Sequence, residues 1–111
     1  MTAPDAPGSS DSLITLLAQM AASMPEVRVA SAGGGGTEWS RGGRRFAVLE
    51  GDAVELRLDP AIAAAALRTP DTSPSTRGTP WVRFAPAELD GHAIDRVTAW
   101  FGLAYRRATG S

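Results

Sequence analysis

The chain has 111 residues, of which 43% are hydrophobic and 21% charged, and its formal net charge is -1. This length allows one domain with one hydrophobic core, and the near-neutral charge lacks the strongly basic balance of a dedicated nucleic-acid-binding protein. There is no cysteine, and all 11 basic residues are arginine. Disulfides, thiolate nucleophiles, cysteine-based zinc sites, Schiff-base lysines and the lysine of a P-loop are therefore excluded.

The N-terminal part predicts a tail and a first helix. Residues 1–11 are rich in Pro, Ser, Gly and Asp and carry no secretory signal, so we expect a disordered tail and a cytoplasmic protein. No apolar run is long enough to span a bilayer, and we expect no membrane contact. A helix that ends at Pro25 follows, with apolar residues at helical spacing: Leu13, Leu16, Leu17, Met20 and Met24.

A short strand and a glycine run precede the main sheet. Val27 and Val29 predict the strand, and the four glycines at positions 33–36 predict a flexible connector or bulge. These glycines do not match a dinucleotide-binding fingerprint, because no strand-to-helix switch follows them.

Residues 37–58 predict three strands that are joined by two tight turns. If Gly42 and Gly43 form a two-residue loop, Arg41 lies opposite Arg44 and Trp39 lies opposite Phe46.

For the second turn we favour a three-residue loop at positions 49–51, which sets Phe46 opposite Val54. A two-residue loop of Gly51 and Asp52 would set Phe46 against Arg57 and Val48 against Glu55, mixing core and solvent residues on one face. The predicted core face then holds Trp39, Phe46, Val48, Val54, Leu56 and Leu58. The predicted solvated face holds Glu38, Ser40, Arg45, Ala47, Leu49, Glu55 and Arg57.

The last half of the chain predicts two more helices and a strand. Asp59 and Pro60 begin a short middle helix. Residues 69–80 predict a Pro-rich loop without structure of its own, and residues 81–84 a strand. A long C-terminal helix with Asp90 as its cap closes the chain, with a buried stripe of Ile94, Val97, Phe101, Tyr105 and Ala108. We therefore predict a single α+β domain over residues 12–109, with an antiparallel sheet of three to four strands and three helices.

This order of segments resembles the MmcQ/YjbR-like family. The resemblance covers roughly residues 13–108 and rests on "GGRRFAVL", "VELRLDP", "WV" and "AYRRA". It implies a small α+β domain and, by an analogy made within that family, a double-wing DNA-binding role. The succession "GGTEW", "GGRRF" and "WV" is also similar to the small domain called luciferase-family. The chain departs from the first family before Trp81, where residues 73–77 replace an aromatic and a His or basic residue.

Arginines around the first turn form the candidate binding site. Bidentate hydrogen bonds from arginine suit phosphate and carboxylate groups, and a glycine turn lets backbone approach such a group closely. The candidate set is Arg41, Gly42, Gly43, Arg44, Arg45, Arg77 and Trp81. We expect a small, non-catalytic, monomeric binding module that weakly binds a nucleic acid or an acidic protein partner.

The alternative interpretation is a small-molecule pocket protein or weak enzyme, in which residues 69–80 close as a lid over a cavity beside Trp81. His92 is the single histidine and lies between Asp90 and Asp95. The sequence identifies neither a serine to complete a triad with it nor a defined metal-ligand set. We therefore predict no catalytic residue, no metal and no cofactor.

Overall fold

A six-stranded antiparallel sheet with helices packed on one face forms the domain. The structure is a computed structural model that describes residues 10–110. The helices are α1 (Ser10–Ala22), α2 (Pro60–Ala66) and α3 (Gly91–Gly110). The strands are β1 (Val27–Ala32), β2 (Gly36–Arg41), β3 (Arg44–Glu50), β4 (Ala53–Arg57), β5 (Thr72–Pro74) and β6 (Trp81–Phe84), arranged in the order β1-β2-β3-β4-β6-β5.

The predicted α+β class is confirmed, but six strands replace the predicted three to four. Strand β5 lies inside the segment predicted to be an unstructured loop, where three residues pair with β6. Local propensity gives no sign of β5, because its short, polar run is stabilised only by the neighbouring strand. At the N-terminus, α1 begins at Ser10, so the last two residues of the predicted tail belong to the helix, and the rest of that tail lies outside the described residues.

The glycine run is a turn between two paired strands and not a flexible connector. Gly33–Gly35 forms a 3-10 turn, after which β2 pairs with β1 along its whole length. A side chain at Gly36 would place its Cβ 2.5 Å from the backbone oxygen of Leu49. Glycine is therefore required at this position because the β3 backbone approaches it too closely for any other residue.

A β-bulge interrupts the first hairpin. Arg41 pairs with Arg44 across the two-residue loop, as predicted. The register then shifts by one residue, so that Trp39 pairs with Ala47 and Phe46 is left without a partner on β2. The predicted pairing of Trp39 with Phe46 is wrong, because alternation of apolar and polar residues does not reveal an extra residue in one strand.

The second hairpin has the two-residue loop, Gly51 and Asp52, and the predicted three-residue loop is wrong. The sequence disfavours that loop because it sets Phe46 against Arg57 and Val48 against Glu55. The bulge removes the first conflict, since Phe46 has no partner in the β2–β3 or β3–β4 pairing, whereas Val48 does pair with Glu55. Gly51 has a φ of 62°, a left-handed conformation that glycine adopts without steric cost.

This register exchanges the faces of residues 47–49 relative to the prediction, while Phe46 stays in the core. Ala47 and Leu49, expected on the solvated face, belong to the core. Val48, expected in the core, pairs with Glu55 on the opposite face and is nevertheless fully buried. Glu55 is only 7% exposed, so the face away from the helices is not uniformly solvated.

The core lies between the sheet and the helices α1 and α3. Trp39, Phe46 and Phe84 are fully buried, and Phe101 packs edge-to-face against both Trp39 and Phe46 with ring centroids 5.4 Å apart. In α3 the buried positions are Ala93, Val97, Trp100, Phe101, Ala104 and Ala108, so the predicted Ile94 and Tyr105 lie at the margin of the stripe. Within residues 10–110, no helix has the length and apolar character needed to cross a membrane.

Replacing Phe46 with Ala should lower the free energy of unfolding by about 3 to 5 kcal/mol, because it removes a buried ring and leaves a cavity beside Phe101 and Tyr105. The matched control is Val29→Ala, at a side chain that is 61% exposed, which should change this free energy by less than about 0.5 kcal/mol. Urea unfolding measures both values. Equal effects of the two substitutions would contradict the position of Phe46 in the core.

Candidate functional site

The sheet face away from the helices carries an open groove. Residues that alternate with core positions point to this face: Ser40 follows Trp39, Arg57 follows Leu56, and Trp81 precedes Val82. The groove has a volume of about 570 Å³. We call it the sheet-face groove, and its lining residues are Glu38, Ser40, Gly43, Arg44, Arg45, Arg57 and Trp81.

The sheet-face groove brings together part of the predicted site. Gly43, Arg44, Arg45 and Trp81 line it, whereas Arg41, Gly42 and Arg77 do not. Arg57 is the important addition, since it pairs directly with Trp81 across β4 and β6. The sequence placed Arg57 on the correct face but gave no sign that β4 and β6, separated by α2 and β5, are neighbours.

The lining of the groove holds more positive than negative charge, and the side chains of two of its arginines contact no partner. Arg45 Nη1 lies 3.1 Å from Glu38 Oε1, and both side chains are partly exposed to solvent. The side chains of Arg44 and Arg57 form no hydrogen bond, ion pair or ring contact with any residue in the described part of the chain. Their guanidinium groups are therefore available to an anionic ligand.

Arg41 makes structural contacts with α3 and does not line the groove. Its Nη1 donates to the backbone oxygen of Tyr105 at 3.4 Å, and its guanidinium carbon lies 4.0 Å from the centroid of the Tyr105 ring. Its Nε also faces Glu26 Oε1 at 3.4 Å, and the side chain is only 18% exposed. The Tyr105 hydroxyl donates to Pro25 O at 2.8 Å. Arg41 thus joins β2 to α3, which explains why it is not available at the hairpin tip.

Arg77 is held in a buried polar network on the same sheet face. Its Nε lies 2.6 Å from Glu55 Oε1, while Ser75 Oγ donates to Glu55 Oε2 at 2.8 Å. The backbone N–H of Arg77 donates to Ser75 Oγ at 3.0 Å. The guanidinium carbon lies 5.5 Å from the ring centroid of Trp81. This network fixes the segment between β5 and β6 to the sheet and supports Trp81 from one side.

His92 lies away from this groove, at the exposed start of α3. It borders a second cavity of about 290 Å³, whose lining also includes Asp71, Glu88 and Arg96. Asp90 Oδ1 accepts a hydrogen bond from the N–H of Ala93, which is the helix cap that the sequence predicts. Among the described residues, no three His, Asp or Glu side chains converge as a metal-ligand set.

Arg41→Ser should lower the free energy of unfolding by about 1 to 2 kcal/mol, since it removes the cation–π contact and the hydrogen bond to α3. Arg44→Ser is the matched control at the other end of the same turn, and we expect a change below about 0.5 kcal/mol because the Arg44 side chain has no partner among the described residues. Thermal and urea unfolding compare the two variants. Equal stability of both would show that Arg41 does not hold α3.

Arg77→Ala should lower the free energy of unfolding by about 2 to 3 kcal/mol, because it leaves the carboxylate of Glu55, 9% exposed, without its cationic partner. Arg83→Ala is the control, since Arg83 lies opposite Glu55 on β6 but is exposed. Hydrogen exchange of residues 75–80 provides a second measurement, and protection there should fall in the Arg77 variant only. Unchanged protection would contradict the role of the network.

No family model matches the chain, and no curated protein or solved structure matches it either. The resemblance to the MmcQ/YjbR-like family therefore stays a prediction, as does the similarity to the luciferase-family domain. Function has to be inferred from the chemistry of the sheet-face groove itself.

Proposed function

We propose that this domain is a non-catalytic binding module that takes a short single-stranded nucleic acid on its sheet-face groove. One observation carries the proposal: Arg44 and Arg57, whose side chains have no partner in the described chain, border an open groove together with the partly exposed ring of Trp81. Cationic groups beside an accessible aromatic ring are the combination that binds phosphates and bases together.

The phosphate contacts come from the arginines of the groove. Arg44 and Arg57 each offer a planar guanidinium with several donors, which suits the oxygens of a phosphodiester. Arg45 is held by Glu38 in a pair whose side chains are 47% and 29% exposed. Such exposed pairs contribute little free energy, so a phosphate can take the place of Glu38 at small cost. The groove therefore supplies two to three phosphate contacts.

The base contact comes from Trp81. Arg77 lies beneath this ring and is held by Glu55, so the indole is kept in place before a ligand arrives. Arg57 lies directly opposite Trp81 on the neighbouring strand, which puts a phosphate-binding group next to a stacking surface. Bases in a single strand can expose their faces to such a ring, whereas a duplex keeps its bases stacked. This favours a single strand over duplex DNA.

Three other ligands are less well supported by these residues. A duplex bound at the hairpin tip would use Arg41, Arg44 and Arg45, but Arg41 is committed to Tyr105 and Glu26. A small molecule under a closing lid would need the segment 69–80 to move, yet this segment carries β5 and the network around Glu55. An acidic protein partner would use the arginines but leave Trp81 without a role.

Binding should be weak, and the affinity should fall only gradually as the salt concentration rises. A labelled single strand of about ten nucleotides should lose affinity with a log–log salt slope of about -1.4 to -2.1, as expected for two to three phosphate contacts on a single strand. Arg44→Ser and Arg57→Ser should each reduce the slope by about 0.7. Arg68→Ser is the control, since Arg68 is exposed beyond α2 and does not line the groove. Fluorescence anisotropy measures all four proteins.

The role of Trp81 is tested separately from charge. Trp81→Leu should weaken binding by about 1 to 3 kcal/mol, while Trp81→Phe should retain most of the affinity because an aromatic face remains. Trp39 and Trp100 are 0% and 9% exposed, so quenching of tryptophan fluorescence by the ligand should be lost in both Trp81 variants. An equal affinity for duplex, or an acidic peptide that binds better than the single strand, would contradict the proposal.

A further inference from the structure

One edge of the sheet is open along its whole length. Strand β1 pairs with β2 through six consecutive residue pairs, without a bulge, and no residue in the described part of the chain pairs with its other side. The backbone groups on that side are therefore presented as a flat row of donors and acceptors. Such a row is a template on which another strand can pair.

The usual features that protect an edge strand are missing from β1. It contains no proline, and its single charge is Arg28. The opposite edge is different, because β5 has three residues and ends with Pro74, which has no N–H to donate. The two edges thus differ in length and chemistry, and β1 is the better template for pairing.

Exposed apolar surface is concentrated at the middle of this open edge. Val29 is 61% exposed, more than Leu67 at 40%, and these are the large hydrophobic side chains that the described residues leave exposed. The neighbouring Val27 packs against the core. Val29 therefore gives an incoming strand an apolar contact beside the backbone row, which backbone hydrogen bonds alone would not provide.

A second copy of the same strand fits this edge. If two β1 strands run antiparallel about a twofold axis at Val29, each Val29 faces the other copy's Val29, and Arg28 faces the small side chain of Ala30. The only charge in the strand is thereby not placed opposite itself, which would be unfavourable. Ser31 and Ala32 are also small and allow the strands to approach closely.

We infer that two copies of this chain pair through β1, antiparallel and centred on Val29, to form one continuous sheet across the dimer. The axis is perpendicular to the sheet, so the helices of both copies lie on one side and both sheet-face grooves open on the other. The interface is small, and the dimer should therefore be weak and form as the concentration rises. The inference does not depend on what the grooves bind.

Sedimentation and light scattering across a range of concentrations measure this association. The chain has a mass of 11.5 kDa, and the parent protein should shift towards twice this mass as it is concentrated. Val29→Arg should remain monomeric, because it sets two like charges opposite each other at the axis. Leu67→Arg is the matched control, since it adds the same charge at the other exposed hydrophobic residue and should dimerise like the parent.

Cross-linking tests the register without relying on the Val29→Arg variant. The chain has no cysteine, so Val29→Cys introduces a single thiol, and oxidation or a short thiol cross-linker should give a covalent dimer. Leu67→Cys should give none under the same conditions. A parent that stays monomeric at every concentration, a Val29→Arg protein that still dimerises, or equal cross-linking at positions 29 and 67 would overturn the inference.

Discussion

The bulge that removes Phe46 from the β2–β3 ladder is the constraint on which the rest of the sheet depends. A regular strand would present either Phe46 or its neighbour Ala47 to the helices, but not both. The bulge lets β3 direct Phe46 and Ala47 to the same side, where Phe101 of α3 contacts Phe46 and Trp39 together. It is also compatible with the two-residue loop between β3 and β4, because Phe46 does not have to lie opposite Arg57.

The sequence predicts the elements of this fold better than their pairing. Helical spacing and the caps at Asp59 and Asp90 identify the helices, because these signals are local. The β3–β4 register was wrong because the choice of loop assumed that alternation continues unbroken through Phe46. Strand β5 was missed for a related reason, since its pairing with β6 depends on a partner that lies several residues further along the chain.

The candidate site was only partly predictable because neighbouring arginines have different structural roles. Three arginines that are close in sequence differ in their side-chain contacts. Arg41 binds α3, and Arg45 pairs with Glu38. The side chain of Arg44 has no partner among the described residues. Proximity in sequence cannot separate these roles, since each depends on what the fold brings near the side chain. The pairing of Arg57 with Trp81 is harder to predict from the sequence, because it depends on the order of the strands in the sheet.

If the dimer proposed above forms, the unequal edges of the sheet limit how far assembly can proceed. β1 presents six residues of backbone, whereas β5 presents three and ends in a proline. A subunit with two sheet edges able to pair would add copies at both ends and grow into a fibre. A subunit with one such edge has no free edge left once it is paired. The stoichiometry is then limited by topology and not by affinity. A higher protein concentration would raise the fraction of dimers without producing a polymer.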